Sequence, residues 1–125
     1  MKEKLIYLET SKKKYPMSFN INVMEDIQEE YGSMKNWGDI VENKGGEEPK
    51  VKDLKYGLMS MINEGIDIEN ENNGTNEPLL NSKQAGRIIT EIGFVKIFEK
   101  IKEITINSAS GEEDSKNEWS TRMME

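Results

Sequence analysis

The chain contains no cysteine and no histidine, and Arg87 and Arg122 are its only arginines. Without cysteine there is no disulfide framework and no thiolate chemistry, and the cytoplasm is the default compartment. Without histidine there is no imidazole base, no histidine-bearing zinc site and no serine triad of the usual kind. Two arginines are too few for a phosphate clamp. Net charge is −7, which argues against a nucleic-acid or anionic-membrane partner, because either needs a basic footprint. Long apolar runs are missing as well, so no membrane span is expected. Lys2 and Lys4 precede only Leu5–Leu8, too short for the apolar core of a signal peptide.

What the chain does have is charge in quantity and apolar residues at helical spacing. Its 125 residues suit one domain with a modest core. With 34% apolar and 33% charged residues, that core must be thin or completed by other chains. The pattern predicts a predominantly α, α+β fold. An N-terminal β-hairpin is followed by four or five short helices over residues 1–106, and a disordered tail occupies 107–125.

The pattern changes period once, sharply, near Asn22. Met17, Phe19 and Ile21 alternate with Ser18 and Asn20, the period of a strand with one buried face. Val23, Ile27 and Tyr31 then recur at helical spacing, with Met24 beside them and Glu25, Asp26, Gln28, Glu29 and Glu30 outside. Asn22 is predicted as the N-cap, with Glu25 closing a capping box and Gly32 ending the helix. The strand is thus expected to run into the helix with no loop between. Upstream, Leu5–Leu8 reads as a first strand and Glu9–Lys14 as a polar turn, with Pro16 tolerated at the start of the second strand. A two-stranded hairpin needs a helix to pack on, and the helix of Asn22–Tyr31 is the obvious candidate.

Ser33 is placed to cap a second short helix, Met34–Asn43, with Trp37, Ile40 and Val41 on one side. Gly45–Pro49 reads as a linker, with Pro49 suited to the first turn of the next helix. There Val51, Leu54, Leu58, Met61 and Ile62 form one apolar stripe, and Tyr56, Met59 and Ile66 a thinner second one. A helix apolar on two sides is either central in its own domain or covered by a partner. Asp67–Glu77 is expected as a surface loop. Glu69, Glu71, Asn73 and Gly74 imitate a calcium loop there, but its twelfth position is Leu80, so the match fails. Asn73-Gly74-Thr75 is a chance glycosylation match in a chain without a secretory signal.

Asn81 or Ser82 is predicted to cap the next helix with Gln84 completing the box, and Ala85, Ile88, Ile89 and Ile92 lie on one face. Gly93 breaks it from a last amphipathic helix carrying Phe94, Ile97, Phe98, Ile101 and Ile104. Trp119 and Met123-Met124 stand in the expected tail.

Carboxylates are plentiful, but 24 acids in so short a chain pair by chance, and Glu25, Glu29 and Glu30 lie on a solvated helix face. Gly45-Gly46 carries no Lys-Ser/Thr and is no phosphate loop. No enzyme chemistry, cofactor or metal is therefore expected. Apolar helix surface in excess of what the chain can hide points instead to binding other protein chains.

The order of pieces adds to this. Tyr15-Pro16-Met17-Ser18-Phe19-Asn20-Ile21-Asn22, then Met24-Glu25-Asp26-Ile27-Gln28-Glu29-Glu30-Tyr31-Gly32, resembles the opening of tail assembly chaperones from long-tailed phages of Gram-positive hosts. Leu54–Asp67 and Leu80–Gly93 resemble the later helices of such proteins, so the resemblance covers most of residues 4–106. It implies a protein that holds the tape measure protein soluble in the host cytoplasm and helps recruit tail tube subunits, with self-association also open. On that basis Tyr56, Met59, Ile66, Phe98 and Ile101 are candidate partner contacts, although plain core is the better expectation for Phe98 and Ile101. Family members often make a longer product by ribosomal frameshifting, and Ser115-Lys116-Asn117 permits a slippery A-AAA-AAC or A-AAA-AAU message. Ser11-Lys12-Lys13 would allow a similar slip, but a position near the C-terminus favours the later site. The alternatives are a structural tail or connector protein retained in the virion and a host-directed protein-binding regulator.

Overall fold

A computed structural model describes the backbone of residues 5–43, 46 and 50–110, with side chains as far as Ile106. The expected linker residues Gly45, Glu47, Glu48 and Pro49 lie outside the described residues. So do Gly111–Glu125, with the frameshift position, Trp119 and Met123-Met124.

The fold is α+β and mostly helical. Strands β1 (Ile6–Glu9) and β2 (Lys14–Met17) form an antiparallel hairpin, followed by α1 (Ile21–Tyr31), α2 (Met34–Glu42), α3 (Val51–Asn73), α4 (Ser82–Ile92) and α5 (Phe94–Ser110). In the hairpin Ile6 pairs with Met17, Tyr7 with Pro16, Leu8 with Tyr15 and Glu9 with Lys14. Pro16 is therefore the third residue of its strand rather than the first. The turn is closed by Thr10, whose N–H donates to the Lys13 carbonyl at 2.9 Å. Its hydroxyl oxygen accepts from the N–H groups of Lys12 and Lys13, each at 3.2 Å.

β2 ends at Met17, so the expected strand through Ile21 is shorter by four residues and a three-residue connection precedes α1. Ser18 is buried and its N–H donates to the Met61 carbonyl at 3.1 Å, whereas Ile21 is 73% exposed. The alternation of Phe19 and Ile21 is thus not that of a strand. The N-cap is Asn20, not Asn22: its side chain accepts from the Val23 N–H at 3.2 Å. Asn22 stands inside the first turn, where its amide donates to Glu64 at 3.0 Å; Asn20 also donates to Glu64, at 2.7 Å. Glu64 on α3 thus fixes the start of α1 from outside, a long-range preference that a local capping rule does not contain.

The other ends follow local rules. Gly32 ends α1 at φ +88°, Ser33 caps α2 by accepting from the Asn36 N–H at 2.9 Å, and Gly93 separates α4 from α5 at φ +105°. Asn81 and Gln84 form the full capping box of α4, each bond 2.9 Å long.

α3 is the axis of the domain, 23 residues or about 35 Å long. Every other helix and β2 pack on it. Leu54, Leu58, Met61 and Ile62 are fully buried, Ile66 is buried, and Tyr56 and Met59 are half-buried against the core. The two-sided helix is therefore the central element of its own domain; of the residues in its two stripes only Val51, at the start of the helix, is largely exposed, at 45%. The hairpin also packs on α3, not on α1. Gly65 makes this possible: a β-carbon there would meet the Pro16 carbonyl group and lie 2.9 Å from the Met17 nitrogen. Gly57 plays the same part toward the ring of Trp37, whose indole N–H donates to the Asp53 carbonyl at 2.9 Å.

α3 runs to Asn73, so Asp67–Asn73 is helical rather than part of a loop, and Gly74 at φ +66° supplies the stop. The chain then returns along the helix it has just left. Asn70 accepts from the Glu77 N–H at 2.9 Å and donates to the Glu77 carbonyl at 3.0 Å. Two turns earlier Asn63 accepts from the Leu80 N–H at 2.7 Å and donates to the Leu80 carbonyl at 3.2 Å. Each amide pairs with one residue's backbone as a strand would, which satisfies donors and acceptors that otherwise have only water. At the other end of the domain α5 continues to Ser110, past the boundary expected at Asn107.

Candidate partner-binding surface

The five residues singled out from the sequence do not converge on one surface. Ile66 and Ile101 belong to the core, the latter 1% exposed, so neither is available to a partner while the domain is closed. Phe98 is half-buried on α5, with the Lys102 ammonium 5.5 Å from its ring centre. Met59 is half-buried on α3.

Tyr56 is committed to the joint between α1 and α3. Its ring meets that of Tyr31 edge-on, centroids 5.5 Å apart, and its hydroxyl donates to the Asp26 carbonyl at 3.1 Å. The Ser60 hydroxyl donates to the Asp26 carboxylate at 3.0 Å, and the Tyr31 hydroxyl to Asp53 at 2.7 Å. With Asn20 and Asn22 on Glu64, polar bonds run the length of this joint. Burial, then the Asp53 hydrogen bond, raises the Tyr31 phenol well above its ordinary range; Tyr56 is raised by burial and by Asp26, Glu30 and Glu29. Both hydroxyls stay protonated and donate at any physiological pH. The arrangement holds two helices together.

Among the described residues the large apolar side chains most open to solvent are Tyr7, Ile21, Val51, Leu79, Val95 and Ile106. Two of them share a helix face with Phe98: Val95, Phe98, Lys102 and Ile106 follow at i, i+3, i+7 and i+11 along the outer side of α5. The opposite side, through Ile97, Ile101 and Ile104, is buried on α3 and α4. Sequence reasoning ranked Phe98 but missed Val95 and Ile106. Their signal was an apolar residue standing off the main stripe of an otherwise ordinary amphipathic helix.

The outer face of α1, by contrast, is acidic as expected: Glu25, Asp26, Glu29 and Glu30 are all exposed. Among the described residues no group of three or more Asp or Glu side chains is arranged to hold a metal ion, and no helix is long and apolar enough to cross a membrane. What the surface offers is an apolar strip with one cation on α5 and an acidic face on α1. Set against known protein families, curated proteins and solved structures, the chain matches none.

Proposed function

We propose that this protein is a tail assembly chaperone of a long-tailed phage, binding the tape measure protein to keep it soluble and helping to recruit tail tube subunits around it. The single observation that carries the proposal is the order of elements at the N-terminus. A short hairpin is followed by one small acidic helix that stops at Tyr31-Gly32, then by a second short helix, the long helix and the later pair, in the sequence pattern the resemblance rests on. A tape measure protein is long, helical and apolar, and would aggregate if bare. Many copies of a small protein with net charge −7 would keep such a complex soluble. With both stripes of α3 occupied within the domain, the contact falls to the outer strip of α5. Such a strip gives a weak individual contact, which suits a chaperone displaced when the tube polymerises.

The test is co-expression with a phage tape measure protein. Soluble tape measure that co-purifies with this chain supports the proposal; tape measure that stays insoluble and unbound overturns it. Mass spectrometry of finished virions decides between a chaperone, which is absent from them, and a structural tail protein, which is retained.

A further inference from the structure

The two edges of the hairpin are not equivalent. The Thr10–Lys13 bond sets the phase of the ladder, so the pairs Leu8–Tyr15 and Ile6–Met17 exchange hydrogen bonds and the pairs Tyr7–Pro16 and Glu9–Lys14 do not. On β2 the groups directed away from the ladder are those of Lys14 and Pro16, followed beyond the strand by Ser18. Pro16 has no N–H to leave unpaired, its carbonyl lies against Gly65, and the Ser18 N–H is taken by Met61. α3 thus closes this edge. On β1 the outward groups are the N–H and C=O of Tyr7 and Glu9, and none of the four has a hydrogen-bond partner among the described residues. Among the described residues no helix or strand other than β2 lies closely along β1. A strand with one bare row of donors and acceptors is a template for another strand.

We propose that β1 is a docking edge for a second copy of this chain, whose own β1 adds antiparallel across a two-fold axis with Tyr7 opposite Tyr7. Residues that direct their backbone outward must pair with one another, and this register is the one in which Ile6 faces Leu8 of the second copy, twice over. Ile6 is half-buried although it packs on the core, and in this register Leu8 of the second copy lies beside it. Glu9 falls opposite Leu5, so no like charges face each other. The result is a four-stranded sheet with α3 of each copy along one of its two outer edges. So short an edge buries less than the roughly 1,000 Å² of a stable interface, so the dimer is weak and reversible. Net charge −7 on each copy opposes it, and added salt strengthens it.

The test uses the purified chain alone, so its outcome is independent of any tape measure binding. Sedimentation velocity across about 0.01–1 mM should show a monomer–dimer equilibrium at the upper end. Tyr7→Pro should abolish the dimer, because the N–H it removes is not part of the β1–β2 ladder. Tyr7→Phe, which loses only the hydroxyl donated to Glu69, should leave it intact. Because the chain has no cysteine, Tyr7→Cys gives a second readout that does not depend on the proline variant folding. Cα atoms opposite each other in such a pair are about 5.5 Å apart, within disulfide reach, so Tyr7→Cys should cross-link at least about tenfold faster than Ile21→Cys on the exposed start of α1. A chain that stays monomeric at 1 mM overturns the proposal, as does a dimer indifferent to Tyr7→Pro. Equal cross-linking rates for the two cysteine variants do so too.

Discussion

Gly65 lies directly beneath the peptide group that joins Pro16 to Met17, so the middle of α3 and the second strand touch backbone to backbone. A β-carbon at position 65 would sit 2.6 Å from the Pro16 carbonyl carbon, with backbone rather than a movable side chain in the way. Gly65→Ala should therefore cost more than the gain of about 1 kcal/mol from better helix propensity, leaving a net loss of roughly 1–3 kcal/mol by urea denaturation. Gly57→Ala pushes against the buried Trp37 ring and should also destabilise, with a change in tryptophan fluorescence of the native state. Wild-type stability in both variants would contradict this packing.

The start of α1 gives a sharper discrimination. Asn20→Ala should cost about 1–2 kcal/mol, because the cap to Val23 and the bond to Glu64 go together. Asn22→Ala loses only an exposed bond to Glu64 and should cost about 0.5 kcal/mol or less. The opposite order in a thermal melt would return the cap to Asn22.

Much of this fold is legible in the sequence because it is locally determined. The stripe of Val23 and Ile27, the caps at Ser33 and Asn81–Gln84, and the stops at Gly32 and Gly93 each need only a few neighbouring residues. The misreadings share one physical origin, contacts between residues far apart in the chain. Asp67–Asn73 has no apolar stripe to announce a helix. A tie at a distance accompanies it there: Tyr7 donates to Glu69 from 62 positions away. Asn20 competes with Asn22 for the cap through Glu64, more than forty positions away. The docking of Trp37 and of the hairpin on α3 did leave a trace, since Gly57 and Gly65 interrupt an otherwise strong helix and mark close approach. Of the candidate contacts, Ile66 and Ile101 were indistinguishable from core by spacing because they are core.

Asn63 should be the most sensitive polar residue on α3. Replacing it with Ala removes both bonds to Leu80 and leaves a partly buried N–H without its partner, at about 1–3 kcal/mol. Asn63→Asp keeps the acceptor for the Leu80 N–H but places a carboxylate oxygen against the Leu80 carbonyl, so it should not rescue. Hydrogen exchange gives an independent readout: the Leu80 amide should lose protection in both variants while those of α1 keep theirs.

Alkaline pH should weaken the fold. Tyr31 and Tyr56 are raised chiefly by burial and Tyr7 chiefly by its bond to Glu69, so the native state holds protons that the unfolded chain releases above its ordinary phenol value of about 10. Proton uptake then favours the native state, and its contribution, complete below pH 10, is lost as pH rises above it. The melting temperature should be flat from pH 8 to 9.5 and fall beyond about 10. Tyr31→Phe should lower stability at pH 8 through the lost bond to Asp53, yet show a shallower alkaline decline. A decline of unchanged steepness in Tyr31→Phe would assign the alkaline sensitivity to other groups.

The two sides of α5 separate folding from partner binding under the proposed function. Ile101 is 1% exposed, and Ile101→Ala should destabilise the domain by about 2–5 kcal/mol, so any loss of tape measure capture would follow loss of the fold. Val95 is 65% exposed, and Val95→Asp should change stability by no more than about 0.5 kcal/mol. It places a charge in the apolar strip beside Phe98 and Ile106, so it should reduce the soluble tape measure recovered on co-expression by several-fold. Ile21→Asp, at a site even more exposed but on α1, supplies the control and should capture as well as the natural chain. If Val95→Asp captures normally while Ile21→Asp does not, the contact surface belongs to α1, and the strip on α5 is only incompletely covered core.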